Sequence, residues 1–370
     1  MSERKCRWGI LSAAWIAMKN WQSIALSGNG ELVVVASRNK AKAQAFIDEC
    51  SSHTPLPNRP EAIEGYDALL ARDDIDAVYI PLPTGLRKDW AIKAAQAGKH
   101  IMCEKPCGVG VAEVEEILAA CHTAGVQFMD GVMFMHSGRL DSLRTAIDDG
   151  ISIGTLRRIN SQFSFCGGEG FEQSNIRMHS EMEPLGCLGD LGWYNVRFNL
   201  WVMNYKMPKV VIGRMLNGAS RPGSPDKVPI EFTGEMLYED GLSASFYCSF
   251  NTANQQWANL SGSNGTIHLD DFVVPCYGSE VGFTISKMTV DQNICDFTME
   301  RREQRVISQE YSNRHSTSQE TNLFRNFNDL VLKGTVDSSW GEIALKTQII
   351  VSACLESARN GSNPVTLQQK

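Results

Sequence analysis

A chain of 370 residues, 43% of them hydrophobic and 21% charged, has the material for a sizeable core, and its length suits two domains. A net charge of −7, with no run of Lys or Arg longer than two, argues against a dedicated nucleic-acid surface. The cysteines number eleven, an odd count without CxxC spacing, which predicts reduced thiols and neither a disulfide framework nor structural zinc.

Arg4-Lys5-Cys6-Arg7 and the apolar stretch from Trp8 to Met18 mimic a secretory leader. No small-residue cleavage site follows them, and cleavage would remove the first strand of a domain. The expectation is an unprocessed, cytoplasmic chain. No apolar run approaches the ~20 residues that a membrane span needs.

In chain order, Arg7 to Leu11 is a short apolar strand, followed by helix formers from Trp15 to Leu26. Glu31 to Ala36 is a β-branched run typical of a strand covered on both faces. Helices are predicted over Lys40 to Glu49, Tyr66 to Ala71, Trp90 to Ala97 and Val111 to His122. Strands are predicted over Ile75 to Ile80, Ile101 to Cys103 and Val126 to Met129. This alternation predicts βαβ units and a doubly wound parallel sheet, an α/β Rossmann domain over residues 1–130.

After Gly131 the pattern changes. Helices over Asp141 to Asp149 and Leu188 to Val202 flank a long half-buried strand from Leu156 to Phe165. Further strands are predicted at Val210 to Met215, Phe232 to Leu237, Ser243 to Phe250, Thr266 to Leu269 and Phe283 to Val290. Two helices, Glu320 to Leu332 and Gly341 to Ala358, close the chain. Residues 131–370 therefore read as an α+β domain with a large, open-faced, mostly antiparallel sheet, suited to substrate binding and to assembly.

Four stretches carry chemistry. Gly9-Ile10-Leu11-Ser12-Ala13-Ala14 lies at the first strand-to-helix turn, where a helix N-terminus can hold a phosphate. It keeps only the first glycine of a dinucleotide fingerprint, with Leu11 at the middle position and Ala14 at the last. At the end of the second strand, Ser37-Arg38-Asn39-Lys40 offers a guanidinium where an NAD site places a carboxylate; Arg38 can hold a 2′-phosphate, so NADP is favoured over NAD. Pro81-Leu82-Pro83-Thr84-Gly85 forms a stiff loop beside the expected nicotinamide position. Strand Ile101 to Cys103 runs into Glu104-Lys105-Pro106, and Pro106 biases Lys105 toward extended backbone and outward projection. Later, Asp190 and Tyr194 stand four apart on a helix, which aims a carboxylate and a phenol the same way. Alone, each stretch also suits a plain turn, a helix cap or a core aromatic.

Taken together, Glu104-Lys105-Pro106, the Asp76-Ala-Val-Tyr-Ile-Pro81 strand and loop, Gly189-Asp-Leu-Gly-Trp-Tyr194 and Glu356-Ser-Ala-Arg-Asn-Gly361 resemble the glucose–fructose oxidoreductase and inositol dehydrogenase family. The stretch Met129 to His136 is similar to its branch of dihydrodiol dehydrogenases and plant-type oxidoreductases. The resemblance implies NADP or NAD in the N-terminal domain, a carbohydrate-like substrate, and a homodimer or homotetramer built through the C-terminal sheet. It implies catalytic roles for Lys105, Tyr194 and Asp190. Cofactor contacts are expected from Gly9, Leu11, Ser12, Ala13, Trp15 and Ile16, then Ser37 and Arg38, Pro81, Leu82 and Pro83, and Glu104 with Lys105. Substrate contacts are expected from Lys105, Arg177, Asp190, Tyr194 and, ranked last, His136. No metal is expected.

The implied activity is hydride exchange between nicotinamide and a carbinol or carbonyl carbon of a sugar, cyclic polyol or dihydrodiol. Lys105 would bind the reacting oxygen and favour deprotonation of Tyr194, Asp190 would orient, and Glu104 would steady Lys105 or the strand end. Alternatives are a glycoside hydrolase that uses NAD transiently and a non-catalytic cofactor-binding regulator. Arg38 argues against the first, and retention of Lys105, Asp190 and Tyr194 against the second.

Overall fold

A computed structural model describes residues 4–276 and 278–367. Buried Val and Ile runs dominate the first half, and they form parallel strands separated by helices. The order is β1 (Cys6–Leu11), α1 (Trp15–Leu26), β2 (Gly30–Ser37), α2 (Lys40–His53), β3 (Glu61–Glu64), α3 (Tyr66–Leu70) and β4 (Ala77–Ile80). It continues with α4 (Thr84–Gln96), β5 (His100–Cys103), α5 (Val111–Ala124) and β6 (Phe128–Asp130). The six strands lie in the order β3-β2-β1-β4-β5-β6, all parallel. The strand order reverses between β1 and β4, and ligands of open α/β sheets bind in the crevice outside such a switch point.

The second half holds α6 (Arg139–Asp148), β7 (Leu156–Cys166), α7 (Phe171–Ser174), α8 (Trp193–Val202), β8 (Val210–Ala219), β9 (Val228–Leu237), β10 (Ser243–Ser249) and β11 (Asn251–Gly262). After these come β12 (Thr266–Leu269), β13 (Val281–Asn293), β14 (Asp296–Ser308), α9 (Gln319–Lys333), α10 (Ser339–Arg359) and β15 (Val365–Thr366). Its nine strands run β14-β13-β12-β11-β7-β10-β9-β8-β15, antiparallel except for the β7–β10 pair. Helix α8 lies on one face of this sheet and is buried on every side. Asn160, Gln162, Ser245, Tyr247, Trp257 and His268 are carried on the other face, which is open.

The two halves are joined by more than the chain. Helix α9 packs back on the first sheet, where Trp8 meets Phe324 and Phe327 edge-on or tilted and its indole donates to Asn328 Oδ1 at 2.8 Å. Arg197 of α8 forks onto Asp130 at the end of β6, at 3.1 and 2.6 Å, with both side chains fully buried. The Trp193 indole adds a third donor to Asp130, and Thr347 of α10 accepts from Arg197 Nε.

Several elements differ from their sequence expectations. Helix α4 begins at Thr84, so Pro83 ends the stiff loop and caps the helix. The stretch expected as one helix from Leu188 opens with a wide π turn over Leu188–Gly192 before α8 begins. Four strands were not anticipated: β3, β11, β14 and the two-residue β15. β3 is a short edge strand with one side chain fully inside, and β11 buries only Ala258 and Leu260. β14 pairs with β13 in a ribbon whose outer part touches no core. Each of the eleven cysteines is a free thiol.

Candidate active site

A cleft of about 1200 Å³ runs along the carboxyl ends of β1, β2, β4 and β5 and is roofed by β7, α8 and the π turn. At one end stand Ser12, Trp15, Ile16 and Arg38, with Glu64 and Tyr66 of the β3–α3 turn beside them. Ser12 has a φ of 135°, a backbone state that suits glycine, so the sharp turn toward α1 falls on this residue. No side chain caps α1, whose N-cap is Ala14, so its first N–H groups stay available to a phosphate. Arg38 has no partner among the described residues.

Leu11, expected in this turn, is fully buried in β1. Gly9 also lies within β1, and a Cβ there would meet the Leu69 side chain at 2.8 Å, so this glycine serves packing between strand and helix. Neither residue lines the cleft, nor do Ala13 and Ser37. The sharp turn is made at Ser12, within the stretch Gly9 to Ala14 where it was expected, and Gly9 and Leu11 stand in the strand before it.

The other end is the junction between the two halves. Lys105 Nζ donates to Asp190 Oδ1 and to the Asp190 carbonyl, each at 2.6 Å. That carbonyl belongs to the π turn. The second carboxylate oxygen of Asp190 accepts from Arg177 Nε at 2.6 Å. Burial alone would raise the Asp190 pKa, but the Arg177 and Lys105 cations outweigh it and hold the carboxyl well below the usual carboxylate range. Lys105 Nζ also lies 4.7 Å from the centroid of the Tyr194 ring. Among the described residues, the Tyr194 hydroxyl meets only the Met133 sulfur, at 3.7 Å.

One expectation fails here, and another resolves to the second of its two alternatives. Tyr194 is not drawn toward ionisation: burial and the charges of Glu104 and Asp190 push its pKa well above that of an ordinary tyrosine. Lys105 covers the ring face and leaves the hydroxyl untouched. Glu104, in turn, does not hold Lys105; its Oε1 accepts from the buried Tyr79 hydroxyl at 2.5 Å. Asn20 of α1 hydrogen-bonds the same tyrosine, so Asn20, Tyr79 and Glu104 form a chain under the cleft.

His136 lies outside the cleft. Its ring stacks on Trp340 at 4.8 Å, Nδ1 meets the Asn326 amide, and burial drives its pKa down to about 3. It is a neutral core histidine.

Pro81, Leu82 and Pro83 form one wall. Arg87, a buried guanidinium, clamps that wall by donating to Leu82 O, to Thr84 Oγ1 and to the carbonyl of Pro106, which follows a cis peptide bond. Thr84 donates through its N–H and hydroxyl to the two oxygens of Glu183, and a Cβ on Gly85 would collide with the Glu181 carbonyl. The loop that carries Arg177 is thereby seated on the start of α4. Thr84 and Tyr79 lie in stretches that the sequence singled out, but their pairings with Glu183, Glu104 and Asn20 were not foreseen because the partners lie far away in the chain.

Comparison with known proteins follows this division of labour. Residues 6–132 match the profile of an oxidoreductase family with an NAD-binding Rossmann fold, and residues 141–268 match the GFO/IDH/MocA C-terminal domain. The chain belongs to the Gfo/Idh/MocA oxidoreductase family. It is 30% identical to dTDP-3,4-didehydro-2,6-dideoxy-alpha-D-glucose 3-reductase of Streptomyces violaceoruber over 279 residues, 74% of this chain and 75% of that one. It is 28% identical to D-xylose 1-dehydrogenase (NADP(+)) 2 of Haloferax volcanii over 299 residues, 80% and 86% of the two chains. The fold matches a 3-ketoreductase from Actinomadura kijaniata, solved with NADP and TDP-benzene, with a TM-score of 0.77 at 23% identity, covering 97% and 98% of the chains.

Membership makes the N-terminal half of this Gfo/Idh/MocA protein an NAD(P)-binding Rossmann domain and the chain an oxidoreductase. Neither the glycoside hydrolase nor the regulator reading is favoured. No helix among the described residues is long and apolar enough to cross a membrane.

Proposed function

We propose that this protein is an NADP-dependent dehydrogenase or reductase acting on the CH–OH group of a sugar, cyclic polyol or dihydrodiol. The observation that carries the reading is the pairing of Lys105 with Asp190 at 2.6 Å, across the junction of the two halves, in a cleft whose far end is Arg38, unpaired among the described residues.

Ser12, the uncapped start of α1 and Arg38 would hold the phosphates, and Pro81 to Pro83 with Glu104 would border the nicotinamide. The bound nicotinamide supplies the hydride donor or acceptor. Lys105 would donate to the reacting oxygen, stabilising charge that develops there. Neutral Tyr194 would supply a proton when a carbonyl is reduced, and in the reverse direction the phenolate left by loss of that proton would be the form that takes one from the carbinol. Asp190 stays ionised with both oxygens engaged, so it positions Lys105 and Arg177 and exchanges no proton.

The open sheet face favours self-association as a homodimer or homotetramer. Four exposed apolar residues continue that face onto the β13–β14 ribbon: Met288, Val290, Phe297 and Met299.

Assay of nicotinamide absorbance with sugars, polyols and diols, using NADP and NAD in parallel, tests the reading. Turnover with at least about tenfold preference for NADP, the worth of one charged hydrogen bond, is expected. Clear preference for NAD would overturn the role given to Arg38.

A further inference from the structure

Glu320, the second residue of α9, is a carboxylate that neither the fold nor the chemistry described above uses. Its side chain is only 4% exposed, yet it lines the cleft. The Lys19 ammonium of α1 stands 2.6 Å from Oε1 as an ion pair. No hydrogen bond reaches either oxygen among the described residues, and none comes from the first N–H groups of α9. A buried carboxylate left short of donors is costly, so one that persists beside a cavity calls for a donor from a ligand.

The surroundings of the pair narrow what that ligand group is. Helix α9 packs on α1 and on the turn Met133–His136 that follows β6. Asn20, next to Lys19 on α1, hydrogen-bonds Tyr79, which donates to Glu104 just past β5. Lys19 and Glu320 therefore flank the half of the cleft above β4 and β5, away from Arg38. The charge of Glu320 is also among those that push the Tyr194 pKa up, which puts the pair within electrostatic reach of the reaction end.

NADP would bring three groups to that half: a ring without donors, a ribose with hydroxyls, and a carboxamide. For the ribose hydroxyls the cleft offers Glu104, whose Oε2 meets no partner among the described residues. The carboxamide carries donor N–H groups and an acceptor oxygen on one planar head, which matches a carboxylate standing beside an ammonium. Resting on the NADP reading above, we propose that Lys19 and Glu320 seat the nicotinamide carboxamide: Glu320 accepts from its nitrogen, and Lys19 donates to its oxygen. The seat fixes the rotation of the ring about its ribose, and with it the face that meets the substrate. Turning the ring over would carry the carboxamide away from both side chains.

The 3-acetylpyridine analogue of NADP+ keeps the carbonyl and replaces the amide nitrogen by a methyl group, so it isolates the bond to Glu320. Calorimetry with the purified full chain is expected to show the analogue bound about tenfold or more weakly than NADP+. Glu320→Leu is expected to lose that difference by weakening NADP+ alone. Glu320→Gln, which keeps an acceptor oxygen, should retain part of it. Lys19→Met should weaken both ligands alike, because both keep the carbonyl. Equal binding of the two ligands by the unaltered chain would overturn the proposal, and so would an unchanged ratio in Glu320→Leu. The measurement needs no substrate, so the two claims fail separately. Discrimination at Glu320 without turnover of any CH–OH compound would sink the dehydrogenase reading and leave the seat; turnover with NADP+ and no discrimination would do the reverse.

Discussion

Two aspartates, Asp130 and Asp190, each gather nitrogen donors at the junction of the two sheets, one sealed and one bordering the cleft. Asp130 is sealed: its side chain is fully buried and spends its oxygens on the fork of Arg197 and the indole of Trp193. Asp190 borders the cleft, and its partners Lys105 and Arg177 retain donors that face open space. Both clusters consist of a carboxylate saturated by nitrogen donors. What would separate a rivet from the proposed reaction centre is whether the cations have protons left to give and a cavity to give them in.

That contrast can be broken by experiment, most forcefully at the sealed cluster. Arg197→Ala leaves Asp130 charged and buried without its fork, which is expected to cost about 3–5 kcal/mol of stability. Chemical denaturation would show the midpoint falling, while the folded fraction keeps its kcat. Asp190→Asn should do the reverse: kcat drops by about a hundredfold because Lys105 and Arg177 lose their anchor, with NADP binding retained. A loss of stability without a loss of kcat would place Asp190 with Asp130. Arg38→Ala, at the far end of the cleft, should raise the KM for NADP by about tenfold and leave that for NAD unchanged.

The smallest effect concerns pH. His136 has a folded pKa of about 3, far below its unfolded value, so the unfolded chain binds more protons between those limits. Stability should therefore fall as pH drops from about 6.5 toward 3, and His136→Asn should flatten that part of the profile. Asp190, whose carboxyl is also depressed, adds its own loss only at lower pH, below the ordinary carboxylate range.

The parallel half was readable because a strand covered on both faces must be apolar throughout: Leu32 to Ala36 could hardly be anything else. Strands that bury little were not. β11 shows its Asn and Gln residues to the open face, and β14 reads as a charged tract because its ribbon rests on no core. Within the site, Lys105, Asp190 and Tyr194 could be named because short motifs carry them, and the structure brings all three to one end of the cleft. Their wiring could not be foreseen. The partner of Glu104 is Tyr79, and Lys105 is held from 85 positions away; such pairings exist only once β4, β5 and the π turn have been brought together. The turn into α1 falls on Ser12 at positive φ, inside the stretch Gly9 to Ala14, although no glycine marks it.

The central claim is that Lys105, held by Asp190, serves the reacting oxygen. Single-turnover hydride transfer in Lys105→Met, measured beside NADP binding to the same variant, tests it most directly. The account predicts unchanged NADP binding and a transfer rate reduced by about a hundredfold or more. Undiminished hydride transfer in that variant would contradict it.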